Sequence, residues 1–186
     1  MIISIPQSIM LINQKLRASK ITYQMNINCS KEKLWEVIST PGILEFCHPF
    51  CKENKVTRWG EVGAQDTIQY YNGLKLNRLF TDWNVGKGYK LLIGRGRYAT
   101  AQVIWKITAQ EDEISVLSIS IDLYSDIALR RYSKFSRWAI EKFYLIPNMS
   151  NYVKDVVKGF KYYIETGKSI EKNQFGNNRM FSSRRE

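Results

Sequence analysis

The sequence is 186 residues long, 44% hydrophobic and 24% charged. This is the usage of one globular domain with appendages, and it excludes collagen-like, coiled-coil and wholly disordered chains. Of the net charge of +11, the segments 1–20, 124–146 and 168–186 carry +3 each; a nearly neutral core with basic fringes is not the concentrated phosphate-gripping face of a nucleic-acid module, so nucleic acid is not an expected partner.

In chain order, the opening MIISIPQSIMLINQ is apolar but broken by Pro6, Gln7 and Asn13. It lacks the leading basic residues and small-residue cleavage site of a secretory signal. No apolar run approaches the ~20 residues of a membrane-spanning helix. Three cysteines without a repeating spacing point to a reduced, cytoplasmic chain. Residues 21–28 read as a strand, with Ile21, Tyr23, Met25 and Ile27 on one face. Ser30 caps a predicted helix over 31–38, with Glu32 in its first turn and Leu34, Val37 and Ile38 as its buried stripe. Pro41 and Gly42 break it and start a second short turn of helix through Phe46. From Lys55 to Leu123 the pattern becomes about six strands, broken near Gly60 and Gly63, at Gly73, at Gly86 and Gly88, at Gly94 and Gly96, and at Glu111 to Glu113.

The last two strands alternate cleanly. Ala99, Ala101, Val103, Trp105 and Ile107 share one face, and Leu117, Ile119, Ile121 and Leu123 share another. That pattern predicts an antiparallel sheet with one covered side. The cover is a helix predicted after Pro147, from about 148 to 165, whose Met149, Tyr152, Val153, Val156, Phe160, Tyr163 and Ile164 recur at helical spacing before a stop at Gly167. The polar, basic EKNQFGNNRMFSSRRE beyond it reads as an extended or frayed tail. The predicted fold class is α+β: a curved antiparallel sheet wrapped around a long C-terminal helix, with two short helices after the first strand.

Three stretches, ITYQMNINCSKEKLWEVIS, PGILEFCHPFCKENKVTRWGEVG and MSNYVKDVVKGFKYYIETGK, resemble the START/Bet v 1-like (SRPBCC) superfamily, which includes many proteins labelled polyketide cyclase/dehydrase. The resemblance spans about residues 20–170 and implies a helix-grip domain there, with an N-terminal extension over 1–19 and a basic C-terminal tail over 171–186. It also implies an internal cavity between sheet and helix that binds a hydrophobic small molecule: a lipid, polyketide-like or isoprenoid compound. It transfers no catalytic residue, because the superfold hosts carriers, receptors and cyclases alike. A cyclase or dehydratase is one alternative, and a basic peripheral protein of membranes or RNA is another.

The cavity candidates are Tyr70, Leu76, Arg78, Phe80, Tyr89, Trp105, Leu117, Ile119, Ile121, Tyr152, Val156 and Phe160. His48, Tyr132 and Phe135 are rim or lid candidates. The aromatic residues supply flat, amphipathic walls for a ring system, or else fill the core themselves. Arg78 falls on the face of Leu74, Leu76 and Phe80. A buried guanidinium there needs an anionic or carbonyl partner, a ligand carboxylate or Asp82, unless it snorkels to solvent near the strand end. Cys29, Cys47, His48 and Cys51 make a Cys₃His inventory, but Cys-His-Pro-Phe-Cys is not a zinc-knuckle spacing. Buried cysteines are the simpler reading, and no metal or cofactor is expected.

His48 is the only histidine, so any imidazole chemistry rests on it; with no Gly-x-Ser-x-Gly elbow, it reads as a turn residue near the cavity rim or surface. Gly94-Arg-Gly96 imitates a dinucleotide fingerprint, but a strand follows where a helix is required, so it reads as a hairpin turn. Residues 130–146 interleave basic and aromatic side chains. If helical, they align Leu129, Tyr132, Phe135 or Ser136, Ala139, Ile140 and Phe143 in a stripe that lids the cavity mouth or lies on an anionic membrane surface. Single-stranded nucleic acid uses similar residue types and is the lesser reading.

Overall fold

The computed structural model describes residues 18–96 and 98–182. Seven strands, β1 (Ser19–Ile27), β2 (Cys51–Arg58), β3 (Gln65–Tyr70), β4 (Lys75–Asn84), β5 (Gly88–Arg95), β6 (Tyr98–Glu111) and β7 (Ile114–Leu123), form one antiparallel sheet. Their spatial order is β1-β7-β6-β5-β4-β3-β2. Strands β2 to β7 are a meander, while α1 (Lys31–Ile38) and α2 (Leu44–Cys47) carry the chain from the β1 edge to the β2 edge. Period-two patterning becomes register: Val103, Trp105 and Ile107 stand opposite Ile121, Ile119 and Leu117, which face Ile21, Tyr23 and Met25 on their other side. Ser30 Oγ accepts from the Lys33 N–H at 3.2 Å, the cap that the sequence places at the start of α1.

After β7 come α3 (Ser125–Ala128), α4 (Lys134–Ile140) and α5 (Ile146–Thr166). A helix beginning after Pro147 is the sequence expectation; the structure carries helix through it, continuously over 134–166. Proline cannot donate to the carbonyl four residues back, and its ring clashes with it. The backbone meets this by widening into a π-helical turn over Glu141–Leu145, which leaves Pro147 in the first turn of α5. Glu141, buried in that turn, accepts from Ser125 Oγ at 2.8 Å and from Ser19 Oγ, tying the helix to α3 and to the start of β1. Gly167, at φ 70°, closes α5 in a left-handed cap, its N–H donating to the Tyr163 carbonyl.

The long helix lies across the concave side of the sheet, over β1 and β7, and against α2. Gly159 sets that last approach, because a methyl group there would sit 2.0 Å from the Cys47 carbonyl oxygen. One end of the interior is filled by aromatic rings. Trp83 lies 5.7 Å from Trp35, 5.4 Å from Trp59 and 5.4 Å from Phe80, and Trp105 bridges Tyr89 and Phe160 at 5.5 and 5.0 Å.

Over its described residues, 167–182, the segment after α5 does not fray. The Ile170 N–H donates to the Phe46 carbonyl at 2.8 Å, the Asn173 N–H to the Pro49 carbonyl at 2.9 Å, and Asn178 Nδ2 to the Asn148 carbonyl at 2.9 Å. Phe181 is buried. A polar composition suggests a solvated tail, but these backbone and asparagine partners replace water, and one aromatic anchor docks the segment. The expected extension over 1–19 falls, apart from its last two residues, outside the described residues. No helix among the described residues is long and apolar enough to cross a membrane.

Candidate functional site

Beside the aromatic-filled end, between α5 and the sheet, lies a cavity of about 310 Å³. Alternate residues of neighbouring strands build its floor: Leu76 and Arg78 on β4, Val103 and Trp105 on β6, Ile119 and Ile121 on β7. Met149, Tyr152, Val153 and Val156 of α5 form the roof, one helical turn apart. The mouth is marked by wall residues that solvent still reaches: the exposed Arg95 and Ala128, and the half-buried Leu74, Leu76 and Ile93.

Its buried end is polar. Arg78 is 5% exposed and donates from Nε to Asp66 Oδ1 at 2.6 Å and from Nη2 to Asp66 Oδ2. Asn54 Nδ2 adds a third bond to Asp66 Oδ2 at 3.0 Å. Beside this pair, the Phe50 N–H donates to His48 Nδ1 at 3.2 Å, His48 Nε2 lies 2.9 Å from the Tyr152 hydroxyl, and that hydroxyl lies 3.0 Å from the Tyr70 hydroxyl. The tail closes this end, with the Phe181 ring 4.4 Å from Tyr70 and 4.5 Å from Tyr152.

The electrostatics follow from burial. Desolvation, aided by the Arg78 charge, pulls the His48 pKa down to about 3, so the ring is neutral at pH 7. Nδ1 accepts from Phe50, which leaves the ring hydrogen on Nε2 to donate to Tyr152. Burial pushes the Tyr152 phenol up to about 12 and the Tyr70 phenol well above its usual value, so both stay protonated. Burial also opposes the Arg78 charge, but the Asp66 carboxylate outweighs it and holds the guanidinium above its usual pKa.

Eight of the twelve cavity candidates line this space: Tyr70, Leu76, Arg78, Trp105, Ile119, Ile121, Tyr152 and Val156. Phe80, Tyr89, Leu117 and Phe160 are buried but lie in the packed part of the core. Phe80 and Tyr89 meet each other at 5.1 Å, Phe160 meets Trp105, and Leu117 stands opposite Ile107. Alternation puts all four on the inner face, but it does not say which inner positions meet neighbours and which meet space.

His48 is not at a surface rim; it is 3% exposed and forms part of the buried wall. Tyr132 and Phe135 do not cover the mouth: they are 52% and 77% exposed. The stripe assumed one helix, but the chain breaks after α3 and restarts at Ser133, whose Oγ caps α4 by accepting from the Ser136 N–H at 3.2 Å. That break changes the helical phase, so Leu129 turns inward while the aromatics turn out.

Arg78 neither snorkels nor pairs with Asp82, whose carboxylate lies 3.3 Å from Lys90 Nζ. Its partner Asp66 was legible after all. A hairpin turning at residues 71–73 sets Ile68 opposite Leu76 and Asp66 opposite Arg78. Phe181 and Met180, also in the wall, had no signal beyond two apolar residues in a polar tail. Gly94 and Gly96 sit at the β5–β6 hairpin, as read. Cys29, Cys47 and Cys51 are free, buried thiols, with burial pushing Cys51 up to about 12. Among the described residues, no three His, Cys, Asp or Glu side chains are grouped to hold a metal ion.

No family model and no curated protein sequence matches the chain, but solved structures share its fold. Norcoclaurine synthase from Thalictrum flavum, in complex with dopamine and hydroxybenzaldehyde, superposes with a TM-score of 0.56 over 91% of this chain and 94% of its own, at 12% identity. The Aha1 dimer structure from Colwellia psychrerythraea gives 0.59 over 81% and 99%, at 13% identity. DynU16, from the dynemicin biosynthetic locus, gives 0.59 over 83% of this chain at 13% identity, and the chain spans about half, 51%, of DynU16. These likenesses establish a START/Bet v 1-like helix-grip fold; a fold of this kind does not fix an activity.

Proposed function

We propose that the protein binds a hydrophobic small molecule, a lipid, polyketide-like or isoprenoid compound, between the sheet and α5. One observation carries the reading: a fold that packs one end of its interior with aromatic rings leaves about 310 Å³ open beside them, with walls that are mostly apolar. Such walls forgo dispersion contacts, and a guest that fills them gains ~25 cal/mol per Å² of apolar surface removed from water. The volume suits a small ligand. In the same fold, norcoclaurine synthase holds dopamine and hydroxybenzaldehyde.

A cyclase- or dehydratase-like enzyme is the alternative, and the origin of DynU16 in a biosynthetic locus favours keeping it. General-base chemistry works best with a group titrating near the working pH. His48, with a pKa of about 3 and both ring nitrogens engaged, is poorly suited, which favours binding. The three free thiols fit a reducing, cytoplasmic setting.

The test is uptake of the neutral fluorophore N-phenyl-1-naphthylamine together with native mass spectrometry of the protein as purified. Enhanced fluorescence in the wild type, weakened in Ile121→Phe, is expected; no uptake and no retained small molecule refutes the reading.

A specific observation favours a membrane surface as the source of the guest. Tyr132, Phe135, Trp138 and Phe143 are 52%, 77%, 45% and 69% exposed. Lys142 Nζ lies 5.3 and 5.7 Å from the Trp138 and Phe143 rings, and Arg130, Arg131 and Lys134 are exposed beside them. Aromatic anchors among cations match an anionic bilayer, and Ala128, just before this surface, belongs to the cavity mouth. Salt-sensitive co-sedimentation with phosphatidylglycerol vesicles but not phosphatidylcholine vesicles, lost in Phe135→Ser/Phe143→Ser, is expected. Equal binding by that variant removes the surface from the account.

A further inference from the structure

The buried end of the cavity has a hydrogen-bond inventory that constrains the guest. His48 Nε2 donates to the Tyr152 oxygen, and the bond between the two phenols consumes one of their two hydrogens. Whichever way that bond runs, one phenolic hydrogen has no acceptor among the described residues, and both phenols line the cavity. Arg78 spends Nε and Nη2 on Asp66. Its Nη1 has no partner among the described residues, is not among their fully buried unpaired atoms, and belongs to a side chain in the cavity wall. Arg78, Tyr70 and Tyr152 all line the same cavity, and the Arg78 charge reaches both phenols.

This set of polar groups carries no net charge. Asp66 cancels Arg78, His48 is neutral, and both phenols keep their protons. A carboxylate placed there is a third buried charge with no countercharge of its own, and a guanidinium already engaged by Asp66 offsets little of its lost hydration. An alkane end leaves the donors unpaired. A carbonyl oxygen brings two lone pairs and no charge.

We propose that this pocket selects an apolar guest with a neutral carbonyl head, a ketone, ester or quinone, seated against the spare hydrogen of the Tyr70–Tyr152 pair, with Arg78 in the same cavity wall. This deepens the reading of the cavity as a ligand site and rests on it. A carboxylate has the exposed Arg95 at the mouth as its place to stay in water.

The experiment displaces N-phenyl-1-naphthylamine with 2-nonanone, nonanoate and nonane at pH 7.5, in wild type and in Tyr70→Phe/Tyr152→Phe. The infrared carbonyl band of bound 2-nonanone is recorded on the wild type, so that a variant that fails to fold does not leave the question open. The expected results are a carbonyl band below its position in hexane and a ketone affinity reduced roughly three- to tenfold in the variant, with nonane unaffected. A hexane-like band, a ketone affinity indifferent to both tyrosines, or nonanoate binding that depends on them overturns the proposal. If nonane still displaces the probe in that case, the cavity stands and only the head-group assignment falls. If neither the probe nor any of the three compounds binds, the ligand-site reading falls and takes this one with it.

Discussion

His48 gives a direct readout of the buried polar cluster. It is the only histidine in the chain, and burial with the nearby Arg78 charge brings its pKa from 6.5 to about 3. In the unfolded chain the ring protonates near pH 6.5. A group whose pKa is depressed by folding stabilises the fold above its unfolded value, and that contribution is lost as pH falls toward the folded value, here from about 6.5 toward about 3. Between pH 7 and pH 5 the unfolded state takes up most of a proton and the folded state almost none, which removes about 2 kcal/mol of stability. Urea unfolding followed by tryptophan fluorescence at the two pH values measures the loss directly. His48→Gln, which keeps one donor and one acceptor, is expected to flatten it. Equal stabilities at pH 7 and 5, or a ring titration by NMR centred near 6.5 in the folded protein, refutes the assignment of a neutral, donor-bearing His48.

Three further outcomes test the surroundings of the site. Asp66→Leu leaves the Arg78 charge buried without its partner and is expected to cost ~3–5 kcal/mol, while Asp66→Leu/Arg78→Met recovers much of that loss; additive single losses in urea titrations contradict the pairing. Gly159→Ala gains ~1 kcal/mol of helix propensity, yet its methyl meets the Cys47 carbonyl oxygen at 2.0 Å. A net loss of ~1–3 kcal/mol is therefore expected, and a stabilised variant shows that α5 has room. Phe181→Ala removes the ring packed against Tyr70 and Tyr152 and is expected to lower stability by ~3–5 kcal/mol; an unchanged melting temperature shows that the tail is not part of the folded unit.

Much of the fold was legible because its signals are local. Alternation along β6 and β7, the Ser30 cap and the glycine turns each follow from a few adjacent residues. The helix start was misplaced because Pro147 is a local stop that a π-helical turn can absorb, and what pins that turn, Glu141 against Ser19 and Ser125, is far away in sequence. The site was legible by face and not by depth. Tyr89 and Phe160 obey the same periodicities as Ile121 and Val156, yet the first two meet other rings while the last two border open space. Arg78 announced its need for a partner, and the hairpin register, rather than proximity along β4, supplied Asp66. Residues 130–146 misled because one five-residue break after α3 reverses which aromatics face water.

That division of the interior bears on what the cavity is for. Narrowing it would be simple, since a larger side chain at Ile121 projects into it from the centre of the β7 floor. In large-to-small series, residual cavity costs ~24 cal/mol per Å³, so a chain shaped by stability alone gains by closing the space, and natural sequences commonly forgo such gains where function needs the room. Ile121→Phe therefore has a signed expectation beyond weakened probe uptake: a ligand-free protein as stable as wild type or more so, by up to ~1–2 kcal/mol. Thermal unfolding with and without N-phenyl-1-naphthylamine separates the cases. A wild type stabilised by the probe beside a variant that is stable alone and less responsive to it is what a preformed pocket requires. A variant destabilised by the ~1–3 kcal/mol of an overpacked core means that the β7 floor and the α5 roof already touch in solution.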